Sequence, residues 1–411
     1  MPAVLLIGDF RRLWLASTIA ALGDYFRLFA IPLLVFALTG SALTTGATLA
    51  LETVPYLIVS PVAGALTDRF GRRHVMLTCR VIQAVLVGSL PATFYGGVMS
   101  LPQTYAVALL TGGVEVVYGA ASLSGVPALV GRESLVTANS ALQMSLSVSA
   151  LVGPPLAGAV SGATGQPAAA LAMDAGAQLA AALVLFRVGV PMLPDRSAAQ
   201  AISLVRDIRE GLAYMARHPL LRTTAVVLFT FNVVLGGTLG QLVVYGRVEL
   251  GLRSLPLSLL YSGEGFGAII GAILAPRIGR RWPLGRIVLA ALPVSACSVL
   301  ILSLAANLPE AFAALALLGL AETVMFVNLI ALRQRIVPDH MQGRVNATAR
   351  ALAVSGVPVG AVVLGALVGP LGIRRSLALL AVAALANAVG AAFTSLRSDT
   401  ASHLATESTA R

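Results

Sequence analysis

Asp24, Arg27, Glu115 and Glu322 stand inside apolar runs of about 20 residues, the helical length that crosses roughly 30 Å of hydrocarbon. Counted at about 1.5 Å per residue from the ends of those runs, all four come out near the middle. A charge at that depth costs roughly 2.5–3.5 kcal/mol on insertion scales, so it persists only with a partner or a task. Two chemistries fit. Asp24 and Arg27 are three residues apart on one helix and can neutralise each other. Alternatively, Asp24 or Glu115 changes protonation as a cavity opens to each side in turn, because burial away from a cation favours the neutral carboxyl. Arg27 would then modulate Asp24, and Glu322 could take either part. Glu52, Glu264 and Asp174 fall nearer the outer face, where gating or packing roles are expected.

The elements that must hold these groups follow from composition. The 411-residue chain is 57% apolar and 11% charged, with mean hydropathy +0.89. Soluble domains carry roughly 25% charged residues, so this is a membrane protein. Repeated spans must be helices, because backbone amides in lipid have no water to bond. Spans are expected near 13–38, 43–66, 75–98, 103–124, 137–161 and 167–187. A second set is expected near 221–246, 255–276, 285–306, 309–332, 345–369 and 374–396. The first span lacks the basic n-region and cleavage site of a signal peptide, so it is expected to be retained.

Charge sorts by topology. All 28 basic residues are arginine, and they crowd one set of loops: Arg69, Arg72, Arg73, Arg132, Arg206, Arg209, Arg217, Arg277, Arg280, Arg281, Arg333, Arg335 and Arg344. The opposite loops hold only Arg247, Arg253, Arg374 and Arg375. By the positive-inside rule both termini face the cytoplasm of a cell membrane. The net charge of +11 therefore marks topology rather than nucleic-acid binding. Cys79 and Cys297 lie in or beside spans, against a disulfide or metal site. The histidines fall outside the spans and no phosphate-binding G-x-x-x-x-G-K-[ST] occurs, so neither an enzyme nor an ATPase is expected, and no cofactor.

Self-comparison shows a repeat. A shift of 208 lays Arg69, Gly71, Arg72 and Arg73 onto Arg277, Gly279, Arg280 and Arg281, and Asp24 onto Asn232. A shift of 207 lays Glu115 onto Glu322 and Asn139 onto Asn346. Six helices are thus duplicated in parallel. The expected fold is all-α, with two pseudo-symmetric six-helix bundles over 1–187 and 220–397, a linker over 188–219 and a polar tail over 398–411. In the linker, Leu204, Val205, Ile208, Leu212 and Met215 recur at helical spacing, which predicts an amphipathic helix on the membrane surface or a plain tether.

The stretch Gly64-Ala65-Leu66-Thr67-Asp68-Arg69-Phe70-Gly71-Arg72-Arg73 resembles the signature loop between helices two and three of the major facilitator superfamily. The resemblance implies twelve helices, a cavity lined by helices one, four, seven and ten, and alternating access. It would place Asp24, Arg27, Glu115, Asn232 and Glu322 at that cavity. It also makes the loop a gate: Asp68 would meet the eleventh helix, whose start is expected near Gly343-Arg344-Val345, with Arg69, Arg72 and Arg73 bracing the contact. Gly153, Pro154 and Gly158 resemble the helix-five motif of exporters, Ala157 replacing one glycine. Phe10-Arg11-Arg12-Leu13, His218-Pro219 and Gln334 with Pro338 resemble the macrolide-efflux and enterobactin-exporter group. The implied activity is proton-coupled export of a bulky amphiphilic small molecule such as an antibiotic or siderophore; the sequence leaves the oligomeric state open, with a monomer expected. Proton-driven uptake of a metabolite is the alternative.

Overall fold

A computed structural model describes residues 3–131, 134–189, 204–394 and 396. No strand occurs among them, and eleven helices are long and apolar enough to cross a membrane. These begin with α1 (Gly8–Thr39), α5 (Arg72–Tyr95), α6 (Leu101–Val130), α7 (Leu135–Thr164) and α8 (Pro167–Phe186). After α9 (Leu204–Arg217), a helix in the linker, come α10 (Pro219–Gly240), α12 (Ser254–Arg281), α13 (Leu284–Leu304) and α14 (Leu308–Ile336). The last two spans are Arg344–Leu371, formed by α15 (Asp339–Val354) continued in α16 (Gly356–Leu371), and α17 (Ile373–Ala392).

The second expected span, 43–66, is helical but broken. It consists of α2 (Ala42–Thr53), α3 (Pro55–Ile58) and α4 (Ser60–Phe70). Pro55 and Pro61 supply no amide hydrogen to the helix ladder, so the run divides at both prolines. A short α11 (Leu242–Val244) and a wide turn at Tyr245–Glu249 follow α10.

Caps set the other boundaries. Gly40, at φ +62°, closes α1 with its N–H on the Phe36 carbonyl, and Ser41 Oγ accepts the Thr44 N–H to open α2. At α14, Asn307 Oδ1 accepts the Glu310 N–H while Glu310 accepts the Ala306 N–H, a reciprocal cap contributing about 1 kcal/mol.

The helices gather into two compact units. One takes in residues up to 202 with Leu252–Ser262, the other Ser203–Gly251 with residues from Gly263 onward. In the first, α1 packs along α7 and α8 and α5 along α6 and α8, around Phe10, Leu13, Met76 and Tyr118. In the second, α10 packs on α16, and α13 on α14 and α17.

The linker forms a helix over the expected residues. α9 belongs to the second unit, where Met215 is buried with Leu221, Val337, Val345 and Ala349. Met215 is thus covered by protein, while Leu212 on the same face stays exposed. A Cβ on Gly211 would stand 2.4 Å from Thr348 Oγ1 and 2.9 Å from the Arg344 carbonyl, so glycine is what lets α9 lie so close to α15.

Candidate functional site

The first unit holds a buried ionic network around two arginines. Arg27 on α1 is 3% exposed. Its Nη1 lies 3.0 Å from Asp24 Oδ1 and 3.5 Å from Asp174 Oδ2, and its Nε lies 3.0 Å from Glu52 Oε1. Arg80 on α5 is 2% exposed, with Nη1 3.1 Å from Glu115 Oε2 and 3.7 Å from Asp24 Oδ2. The same Nη1 donates to Gln83 Oε1 and, at 3.1 Å, to Gln178 Oε1. The Arg80 guanidinium also rests 3.5 Å from the centroid of the Tyr118 ring.

Two glutamines tie the halves together. Gln178 Nε2 donates to Asp24 Oδ1 at 3.1 Å and to Asp174 Oδ1 at 2.9 Å, and Gln83 Nε2 donates to Glu115 Oε2 at 3.0 Å. Five helices therefore contribute: α1, α2, α5, α6 and α8. Glycine lets them approach. A Cβ on Gly23 would stand 2.4 Å from Asp174 Oδ1, and one on Gly112 would stand 2.1 Å from the Glu52 carbonyl oxygen.

Four carboxyls thus face two guanidiniums. Removing two charges from water costs several kcal/mol per ion, which is recovered only by partners of good geometry. Both arginines have them, and the surplus carboxyls leave room for protons.

The second unit is built differently. Glu264 on α12 and Glu322 on α14 interact with each other, and among the described residues neither forms an ion pair with an arginine or histidine. A carboxylate can only accept, so a hydrogen bond between two such carboxyls would need a shared proton. Their helices touch through glycines: a Cβ on Gly319 would stand 2.1 Å from the Glu264 carbonyl oxygen, and one on Gly267 would stand 1.7 Å from that of Ala316. Asn232 stays apart, its Nδ2 donating at 2.8 Å to the Leu228 carbonyl of its own helix.

Of the expected loop residues, the side chains of Gly64 and Asp68 lie outside the described residues. Gly71 has φ +80°, a backbone that favours glycine, and divides α4 from α5. Arg69 lies over the Phe70 ring, Arg73 donates to the Phe186 carbonyl, and Arg72 Nε is buried with no hydrogen-bond partner. The eleventh helix begins earlier than expected, at Asp339. Arg344 therefore lies within α15, where its Nη1 pairs with Glu210 of α9 at 2.6 Å. Gly343 lies within α15 too. In α7, a Cβ on Gly153 would stand 2.6 Å from Tyr25 Cβ, one on Gly158 would stand 2.1 Å from Ser258 Oγ, and Pro154 lies inside the helix.

The sequence reading paired Asp24 with Arg27 but passed over Arg80, Gln83 and Gln178. An arginine within the span 75–98 was the available signal. Asp174 is fully buried on Arg27, and Glu52 is bound to that guanidinium too. Arg374, on the arginine-poor side, pairs with Glu249 at 2.7 Å and donates to the Ser303 and Ala305 carbonyls at the end of α13.

Bundled apolar helices around a buried ionic network are the frame of a membrane transport protein. The profile described as Major Facilitator Superfamily matches residues 13–356 and 257–410, and the chain belongs to that superfamily. It is similar to the multidrug efflux pump Tap of Mycolicibacterium fortuitum, 25% identical over 92% of this chain and 93% of Tap. To the enterobactin exporter EntS of Salmonella typhimurium it is 26% identical over 87% of this chain and 85% of EntS. Among solved structures, the nucleoside transporter NupG superposes with TM-score 0.76 at 11% identity, over 93% of this chain and 98% of NupG. A bacterial homologue of the human lysosomal transporter Spinster gives 0.76 at 13% identity, over 93% and 96%. The fold is accordingly the two-bundle major facilitator fold.

Proposed function

We propose that the chain is a proton-coupled exporter of bulky amphiphilic small molecules, working by alternating access in the cell membrane with both termini in the cytoplasm. The observation that carries the coupling is the pairing of Glu264 with Glu322, which among the described residues have no ion pair with an arginine and would be eased by a shared proton. Such a pair can release its proton when one side is wet and regain it when the other is. Asp24 and Glu115, each within reach of an arginine, would hold the α1–α5–α6–α8 contact and pass charge between Arg27 and Arg80. The Asp68 loop would serve as the gate on the arginine-rich side. Export is supported by the efflux and exporter activities named for Tap and EntS, and by the resemblance of Gly153, Pro154 and Gly158 to the helix-five motif of exporters.

Everted vesicles test direction and coupling together. An amphiphilic dye should accumulate under an inside-acid gradient and lose that response in Glu322→Gln. Accumulation confined to right-side-out vesicles would turn the assignment to uptake.

A further inference from the structure

The first unit carries a second feature that the ionic network does not use, a cavity of about 990 Å³ between the broken second span and the α5–α6 pair. That is at the upper end of the roughly 300–1,000 Å³ of small-molecule sites. Its walls are almost wholly apolar, including Pro55, Val59, Leu66, Ile82, Leu110 and Val117. It lies on other faces of α5 and α6 than those bearing Arg80, Gln83 and Glu115. The second span is broken at Pro55 and Pro61 beside it, and Gly113 leaves the floor open, with nothing nearer than 3.8 Å to a Cβ placed there.

Arg69 stands just outside one end of this cavity. Phe70 and His74 line it there, the exposed Arg69 lies 5.5 Å from the Phe70 ring centroid, and α5 starts beside them at Arg72 with its unpaired amides. From His74 to Ile82 along α5 is about 12 Å at 1.5 Å per residue, close to the depth of one leaflet of a roughly 30 Å bilayer. The groove therefore runs inward from a cationic rim for about one leaflet and is oily throughout.

We propose that this groove binds an anionic phospholipid of the leaflet on the arginine-rich side, an acyl chain lying against Ile82, Leu110 and Val117 and the headgroup phosphate at Arg69 and His74. A zwitterionic lipid presents the same chain but no net charge, so the rim supplies the selection. The proposal is independent of what the protein transports and of the coupling ion. The lipid would brace the α5–α6 pair from behind the Arg80–Glu115 contact.

Native mass spectrometry of the purified full chain, given equimolar phosphatidylglycerol and phosphatidylcholine with matched chains, tests it. The wild type should retain phosphatidylglycerol about tenfold over phosphatidylcholine, equivalent to about 1.4 kcal/mol. Arg69→Glu combined with His74→Glu should bring the ratio to parity. Gly113→Leu, which fills the floor, should cut phosphatidylglycerol retention about tenfold, and Ile82→Trp, on the exposed wall, should do the same should the glycine variant not be recovered folded. Equal retention of the two lipids by the wild type would reduce the groove to ordinary lipid contact and overturn the proposal. A preference surviving the rim substitutions, or retention unmoved by filling, would place the lipid elsewhere and overturn it as well.

Discussion

Replacing Arg80 by Met removes the cation that Glu115 and Asp24 share while keeping most of the buried stem. Arg80 is 2% exposed, so no water takes its place, and Gln83 and Gln178 each lose a donor at the same time. Deleting one partner of a buried ion pair costs about 3–5 kcal/mol, because the charge left behind is uncompensated. For a unit of about 200 residues that is a fall in Tm of roughly 6–20 °C. Protonation discharges the orphaned carboxyls, so the loss should be largest near pH 8 and smaller near pH 5, measured against the wild type at each pH. Thermal unfolding of the purified protein, followed by tryptophan fluorescence, reads both numbers. A loss under about 1 kcal/mol at pH 8, or one equal at the two pH values, would refute the reading of Arg80 as the network's structural cation.

Further outcomes follow from the same geometry. Asp24→Asn should cost clearly less stability than Arg80→Met, since Glu52, Glu115 and Asp174 still serve both guanidiniums; equal Tm losses would contradict this. Gly112→Ala puts a methyl 2.1 Å from the Glu52 carbonyl and must push α2 from α6, a strain of about 1–3 kcal/mol visible as a lower Tm. Glu210→Ala removes a partly exposed pair with Arg344 and should cost under about 1 kcal/mol. Gly211→Val should instead lift α9 from α15 and speed proteolysis of the linker; if the two variants were cut alike, the docking by close backbone approach would be wrong.

Much of this architecture is legible in the residues because lipid allows few solutions. Run length and arginine placement mark the spans, and Gly40-Ser41 marks the first turn. The breaks in the second span were written in Pro55 and Pro61, but hydropathy averages over them. The network was half legible: Asp24 and Arg27 are neighbours on one helix, whereas Arg80, Glu115 and Gln178 come together only when α5, α6 and α8 pack. An amphipathic stretch such as 204–217 suits a membrane surface or a protein face equally well. Only the glycine at 211 and the acid at 210, set against Thr348 and Arg344, decide between them.

The most direct measurement is proton movement by the purified protein in liposomes, read with a trapped pH dye when an amphiphilic substrate is added. The wild type should exchange protons for substrate, and Glu264→Gln or Glu322→Gln should leave substrate binding intact while proton movement stops. Undiminished proton exchange in both variants would contradict the claim that the carboxyl pair between α12 and α14 carries the coupled proton.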